Sequence, residues 1–209
     1  EMPTSVKTIG DGIFTDCENL SRVVLSEAVT TISNAAFSGC THLADVVATG
    51  AVVAIGDEAF KGCASLADFA LPASVESIGD SAFYGCATIS DVTMPASVMS
   101  VGDSAFEGCT SLASVTLSEA LTAIGDRTFA GCSTLSDVVI PKNVVTIGAS
   151  AFEECDALIA LVVFEDSKLT TIGSSAFEGC ALLKTIYLSA SSVCALGGEK
   201  LLAIHAVRR

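Results

Sequence analysis

The sequence predicts a repeat solenoid of short parallel strands and short helical turns, in eight units of about 23 residues. Three observations carry this reading. Phenylalanine recurs at Phe14, Phe37, Phe60, Phe83, Phe106, Phe129, Phe152 and Phe177, every interval being 23 residues except the last, which is 25. A cysteine follows each Phe at the third position: Cys17, Cys40, Cys63, Cys86, Cys109, Cys132, Cys155 and Cys180. Hydrophobic residues make up 51% of the chain, yet aromatics only 6%, and Trp is absent. Small aliphatic side chains therefore fill many thin, similar layers. A unit this short cannot bury its apolar face alone, so the units must stack.

Val75 to Pro95 serves as the type unit. Val75 and Ile78 are apolar three residues apart, and Gly79-Asp80 breaks the run. Ser81-Ala82-Phe83-Tyr84 suits one helical turn closed by Gly85. Cys86 and Ile89 point inward, and Val92-Thr93-Met94 alternates as a short strand that Pro95 stops. Asp80 stands where a helix N-cap belongs, its carboxylate placed to accept an N–H two or three residues on. Asp11, Asp57, Asp103 and Asp126 hold the same place, with Asn34 and Ser174 as substitutes and Ala149 as the exception. The glycine before each cysteine (Gly39, Gly62, Gly85, Gly108, Gly131, Gly179) fits a left-handed C-terminal cap, and Asp16 and Glu154 depart from it.

Val75, Ile78, Gly79, Ala82, Phe83, Cys86, Ile89, Val92, Met94 and Pro95 together resemble the consensus of the BspA-like leucine-rich repeat family. The resemblance extends from Pro3 to Gly197. It implies a curved leucine-rich-repeat solenoid of the kind found in microbial and protist surface proteins that bind host or matrix proteins. It carries no catalytic residue. The chain departs from the pattern by two inserted residues around Glu165–Lys168, and by Ser26, Thr49, Ser118 and Glu165 where the family has Pro.

The solenoid is expected over residues 1–197. Met2-Pro3-Thr4-Ser5-Val6 nearly repeats Met94-Pro95-Ala96-Ser97-Val98, so the chain opens in mid-repeat and reads as part of a longer protein. Residues 198–209, with Glu199 early and Arg208-Arg209 late around an apolar stretch, suit a short C-terminal capping helix. The longest apolar run, from Ala157 to Phe164, falls far short of the ~20 residues of a membrane helix, so no direct membrane insertion is expected. A net charge of −14 argues against nucleic acid and anionic membrane surfaces and leaves a basic partner open.

The cysteine ladder invites a metal or disulfide reading. Zinc motifs pair cysteines two to four residues apart, whereas these recur every 23. Equivalent positions in a parallel stack lie ~4.8 Å apart, and disulfides prefer Cβ atoms ~3.8 Å apart. Buried, reduced thiols are therefore expected, with Cys194, which lies off the ladder, as the reactive exception. The Asp57, Asp80, Asp103, Asp126 column lacks the regular second acid a calcium cage needs. Asp45, Asp68, Asp91 and Asp137 form another column that reads as a solvated corner. His42 and His205 stand almost a whole array apart, and no phosphate-binding glycine loop follows a strand. The sequence predicts neither catalysis nor a cofactor.

The most functional-looking surface is the outward strand position, held by Val24, Val47, Ala70, Thr93, Thr116, Val139, Val162 and Tyr187. This column is more apolar than exposed strands usually are, and contiguous apolar patches mark interaction sites. β-Branched residues also simply suit a parallel sheet. The expected function is thus a non-catalytic, adhesion-type module that binds protein through Val24, Val47, Thr93, Thr116, Val139, Val162 and Tyr187. Its expected location, from the resemblance alone, is the cell surface or the secreted fraction. The alternative is a structural accessory subunit of a large multi-subunit complex, in an organelle or inside the cell.

Overall fold

A computed structural model describes residues 1–67, 69–164, 166–187 and 195–196, with backbone alone for 185–187 and 195–196. The expected terminal helix, Cys194 and His205 lie outside the described residues. The chain winds as a parallel solenoid of short strands. The strand face comprises β1 (Arg22–Val24), β3 (Asp45–Val47), β6 (Asp91–Thr93), β8 (Ser114–Thr116), β10 (Asp137–Ile140), β12 (Ala160–Val163) and β14 (Thr185–Tyr187). A second ladder of two-residue strands comprises β2 (Thr31–Ile32), β4 (Ala54–Ile55), β5 (Ser77–Ile78), β7 (Ser100–Val101), β9 (Ala123–Ile124), β11 (Thr146–Ile147), β13 (Thr171–Ile172) and β15 (Ala195–Leu196). Strands pair with their counterparts one turn away, in register, as Asp91–Thr93 does with Ser114–Thr116. Side chains alternate as a pleat demands: Val92 and Met94 are buried, Asp91 and Thr93 exposed.

The expected helical turns are absent: no helix occurs among the described residues. The reason lies one residue after the Asp column. Ser81 has φ of 53°, and Ala35, Glu58, Ser104, Arg127, Ser150 and Ser175 share that left-handed conformation. A left-handed residue cannot propagate a right-handed helix. Alternate amides instead reach across to the next turn, Ser81 N–H to Asp103 O at 2.8 Å, Phe83 to Ala105 at 2.7 Å and Gly85 to Glu107 at 2.7 Å. The left-handed glycines before the cysteines are as expected, and Asp16 and Glu154, both at φ 57°, adopt the same conformation without glycine.

The Asp column caps the neighbouring turn, not its own. Asp57 Oδ1 accepts the N–H of Asp80 at 2.9 Å, Asp80 Oδ1 that of Asp103 at 2.8 Å, and Asp103 Oδ1 that of Asp126 at 2.8 Å. Asn34 Oδ1 does the same for Asp57 at 2.9 Å, and Asp126 Oδ1 accepts the N–H of Ala149 at 2.7 Å. Gly79 precedes this link because the turns touch here. A Cβ on Gly79 would sit 2.6 Å from the Asp57 backbone nitrogen.

The Phe column is the spine of the core. Successive rings from Phe14 to Phe177 stack at 5.1–5.6 Å with interplanar angles of 3–14°. Beside it each ladder thiol from Cys40 to Cys180 donates to the carbonyl of the Phe one turn back, as Cys86 does to Phe60 at 3.1 Å. Phe69 stands where Val46 and Val92 stand in adjacent turns, and its ring packs against Phe60 and Phe83 at 5.1 and 5.8 Å. Phe69 and Ala70 fall outside the strand ladder, which divides into β1–β3 and β6–β14.

Candidate functional site

The proposed binding stripe is assembled by register. Val24 lies opposite Val47, Thr93 opposite Thr116, and Val139 opposite Val162, which pairs in turn with Tyr187 at the backbone. Ala70, Thr93, Thr116 and Val139 are exposed, whereas Val24, Val47 and Val162 are half-buried. The stripe is not continuous. It breaks at Ala70, and again between Thr116 and Val139, because β8 and β10 pair only at Ser114–Asp137. Tyr187 is placed in β14 by its backbone, and its side chain lies outside the described residues.

Beside the stripe runs a column that the sequence reading placed at a corner. Asp45, Asp91 and Asp137 are the first residues of β3, β6 and β10, so pleating turns them to the same side as Val47, Thr93 and Val139. Asp68 lies outside the described residues. Asp45 is bridged by Arg22 at 2.7 Å. Asp91 instead accepts the Ser114 hydroxyl and, at 3.4 Å, that of Thr93, while Asp137 accepts Ser136 Oγ at 2.9 Å. The face thus joins β-branched side chains to carboxylates, of which Asp91 and Asp137 are held by hydroxyls and form no ion pair among the described residues. Its apolar character grows towards β12, where Ile159 and Phe164 are 45% and 39% exposed beside Val139 at 48%.

The thiols belong to the core. Cys40, Cys63, Cys86, Cys109, Cys132 and Cys155 are buried and free, and burial pushes Cys63, Cys109 and Cys155 up to about 12. A neutral buried thiol is neither nucleophile nor metal ligand. The ladder ends differ from the expectation of uniform burial, since Cys17 is exposed and Cys180 half-buried. Among the described residues both have a neighbouring turn on one side only of the Phe column. His42 is exposed at its corner, its ring Nδ1 2.8 Å from Glu18 O. Among the described residues no group of three or more His, Cys, Asp or Glu is arranged to hold a metal. None of them forms a helix long and apolar enough to cross a membrane.

One ionic cluster escaped the sequence reading. Arg127 bridges Glu107 and Glu153 at 2.7 Å each, tying together three successive turns on the Phe side. Partial burial works against the Glu107 charge, but hydrogen bonds from Arg127 and Ser104 and the Arg127 charge together outweigh it and hold that carboxyl below its ordinary value. The repeat columns carried the signal, because Arg127 replaces the Ser of Ser81, Ser104 and Ser150 and two acids flank it one turn either side.

A family model described as "BspA type Leucine rich repeat region (6 copies)" matches residues 1–112 and 76–197. The chain belongs to the BspA-type leucine-rich repeat family. The model has six copies where the Phe–Cys spacing suggests eight units. Solved bacterial leucine-rich repeat structures share the fold. A leucine rich cell surface protein from Faecalibacterium prausnitzii A2-165 is 26% identical with a TM-score of 0.60, the match covering 90% of this chain and 66% of that one. A leucine rich repeat protein of T. pallidum is 28% identical with a TM-score of 0.67, over 87% and 76% of the two chains. A leucine-rich repeat protein from Bacteroides ovatus, 23% identical over 87% and 70%, has a TM-score of 0.59. No curated protein matches the chain.

Proposed function

We propose that this BspA-type solenoid is a non-catalytic protein-binding module, adhesion-type, that docks its partner on the strand face. The observation that carries this is the pairing of an outward apolar column with an outward acidic one on the same strands. Val24, Val47, Thr93, Thr116, Val139, Val162 and Tyr187 supply the contact stripe. Asp91 and Asp137 select partner side chains that are cationic, because like charge beside them is repelled. At ~4.8 Å per turn the positions from Val24 to Tyr187, interrupted at Ala70 and after Thr116, span roughly 35 Å, which suits a protein interface better than a small-molecule pocket. The F. prausnitzii relative described as a cell surface protein supports an extracellular location for this chain too.

Binding to immobilised extracellular-matrix proteins tests the reading. Saturable binding that weakens as salt rises is expected, since the acidic column contributes through screened charges. Binding to no matrix protein at low salt counts against it. The exposed Val139, Ile159 and Phe164 also fit an obligate interface inside a larger assembly. Size-exclusion chromatography separates the two, because a module elutes as a dispersed monomer and an orphaned subunit self-associates.

A further inference from the structure

We propose that the arc from Val115 to Gly125 is a built-in flexible step, where the solenoid changes twist about a pivot on its Phe side. Each end of this arc is held by one neighbour instead of two. Its leading part pairs with β6, and Met94 N–H reaches Thr116 O at 2.9 Å, but its register with β10 stops at Ser114–Asp137, and Leu117 N–H makes no such bond to Val139 O among the described residues. Its trailing part pairs with β11, but β9 has no pairing with β7.

Equivalent positions elsewhere define what is missing. Glu76 donates to Val53 O and Gly79 to Ile55 O, both at 2.8 Å, and Met99 and Gly102 repeat this on Glu76 and Ile78 at 2.8 and 2.9 Å. Val145 and Gly148 do so again on Thr122 and Ile124 at 2.8 Å. The amides of Thr122 and Gly125 have no such bond to Met99 or Val101 among the described residues. The break is confined to this edge, for on the Phe side Ser104, Phe106 and Gly108 still donate to Asp126, Thr128 and Ala130 at 2.8–2.9 Å. Arg127 clamps the same side through Glu107 and Glu153. One edge is open and the other fastened, which is the geometry of a hinge.

The cause can be read in three columns. Thr128 replaces the Ala of Ala82, Ala105 and Ala151, and is 1% exposed. Its hydroxyl props the turns, donating to Gly125 O at 3.0 Å with Gly102 O at 3.5 Å. Leu121 replaces the Val of Val75, Val98 and Val144, adding a second wedge. Val101 replaces the Ile of Ile78, Ile124 and Ile147 and leaves the space beneath them underfilled. All three line one gap with Met94, Leu117 and Phe129, too narrow to admit water. Val101 and Val115 are half-buried where Ile78 and Val92 are buried, and Phe106 and Phe129 are the most widely spaced rings of the column at 5.6 Å. Oversized and undersized residues in a stacked array misfit together, and a dry gap forfeits contacts on both sides. The break in the stripe between Thr116 and Val139 lies over this step, so flexing re-aims two blocks of the strand face. The step stands on packing and holds whichever surface docks a partner.

Hydrogen–deuterium exchange of the whole chain tests it. Peptides covering 115–125, corrected for intrinsic rates, should exchange at least about tenfold faster than those covering 138–148. The reverting variant Val101→Ile/Leu121→Val/Thr128→Ala should bring the arc's exchange down towards that of 138–148. Equal protection of the two segments in the natural chain overturns the proposal without any variant. So does a folded reverting variant whose arc exchanges as fast as before.

Discussion

Raising the pH should unfold this protein sharply, through thiols that take no part in binding. Cys63, Cys86, Cys109, Cys132 and Cys155 are fully buried, and burial raises each above its ordinary value, to about 12 for Cys63, Cys109 and Cys155. In the unfolded chain the same thiols ionise near ~8.5. Below that value both states hold the proton and stability is fully present. Above it the unfolded state sheds protons the folded state keeps, so stability falls as pH rises towards the folded values. Each thiol contributes up to about 1.4 kcal/mol per pH unit, and the five together give a slope near ~7 kcal/mol per unit. Domains of ordinary stability hold 5–15 kcal/mol, so unfolding is expected between roughly pH 9 and 11. Urea titrations followed by circular dichroism at about pH 8, 9 and 10 measure the slope. Cys109→Ala should lower it by one thiol's share, whatever it does to absolute stability. A midpoint that stays flat from pH 8 to 10, or a slope that Cys109→Ala leaves untouched, refutes the reasoning.

Phe83→Ala removes a ring stacked between Phe60 and Phe106 and touching Phe69, and should cost ~3–5 kcal/mol in a denaturant titration. Phe14→Ala should cost less, because Phe14 is half-buried and stacks on Phe37 alone within the column. Asp80→Asn should be tolerated, since Asn34 makes the same link, whereas Asp80→Ala strands the Asp103 amide and should cost about 1 kcal/mol by the same titration. Alkylation of the native chain without reductant should modify Cys17 and spare Cys63, Cys86, Cys109, Cys132 and Cys155. Recovery of a Cys63–Cys86 linked peptide contradicts the reduced ladder.

The period made the stacking, the strand face and the Phe and Cys columns legible, because a 23-residue repeat puts identical environments one above another. The turn after Asp80 was misread as helical for a physical reason. Asp-Ser-Ala-Phe spacing suits a capped helical turn and an extended bend equally. Only the left-handed φ of Ser81 decides between them, and a serine does not announce it. The N-cap logic failed with it, since the nearest free amide to Asp80 Oδ1 belongs to Asp103, one turn on. Asp91 could have been placed, because alternation about Val92 sends it outward with Thr93. The step at Thr128 was also legible as a Thr in an Ala column, but such departures become visible only when the columns are read one by one.

The strand face as the docking surface is tested most directly by placing charge on one ladder at a time. Thr116→Lys/Val139→Lys alters two exposed positions of the stripe, and Glu76→Lys/Met99→Lys alters two exposed positions just before β5 and β7 on the second ladder. With a matrix protein that binds the natural chain, the first pair should abolish binding at an unchanged melting temperature, and the second should leave it intact. Loss confined to the second pair, or retained affinity in the first, contradicts the account.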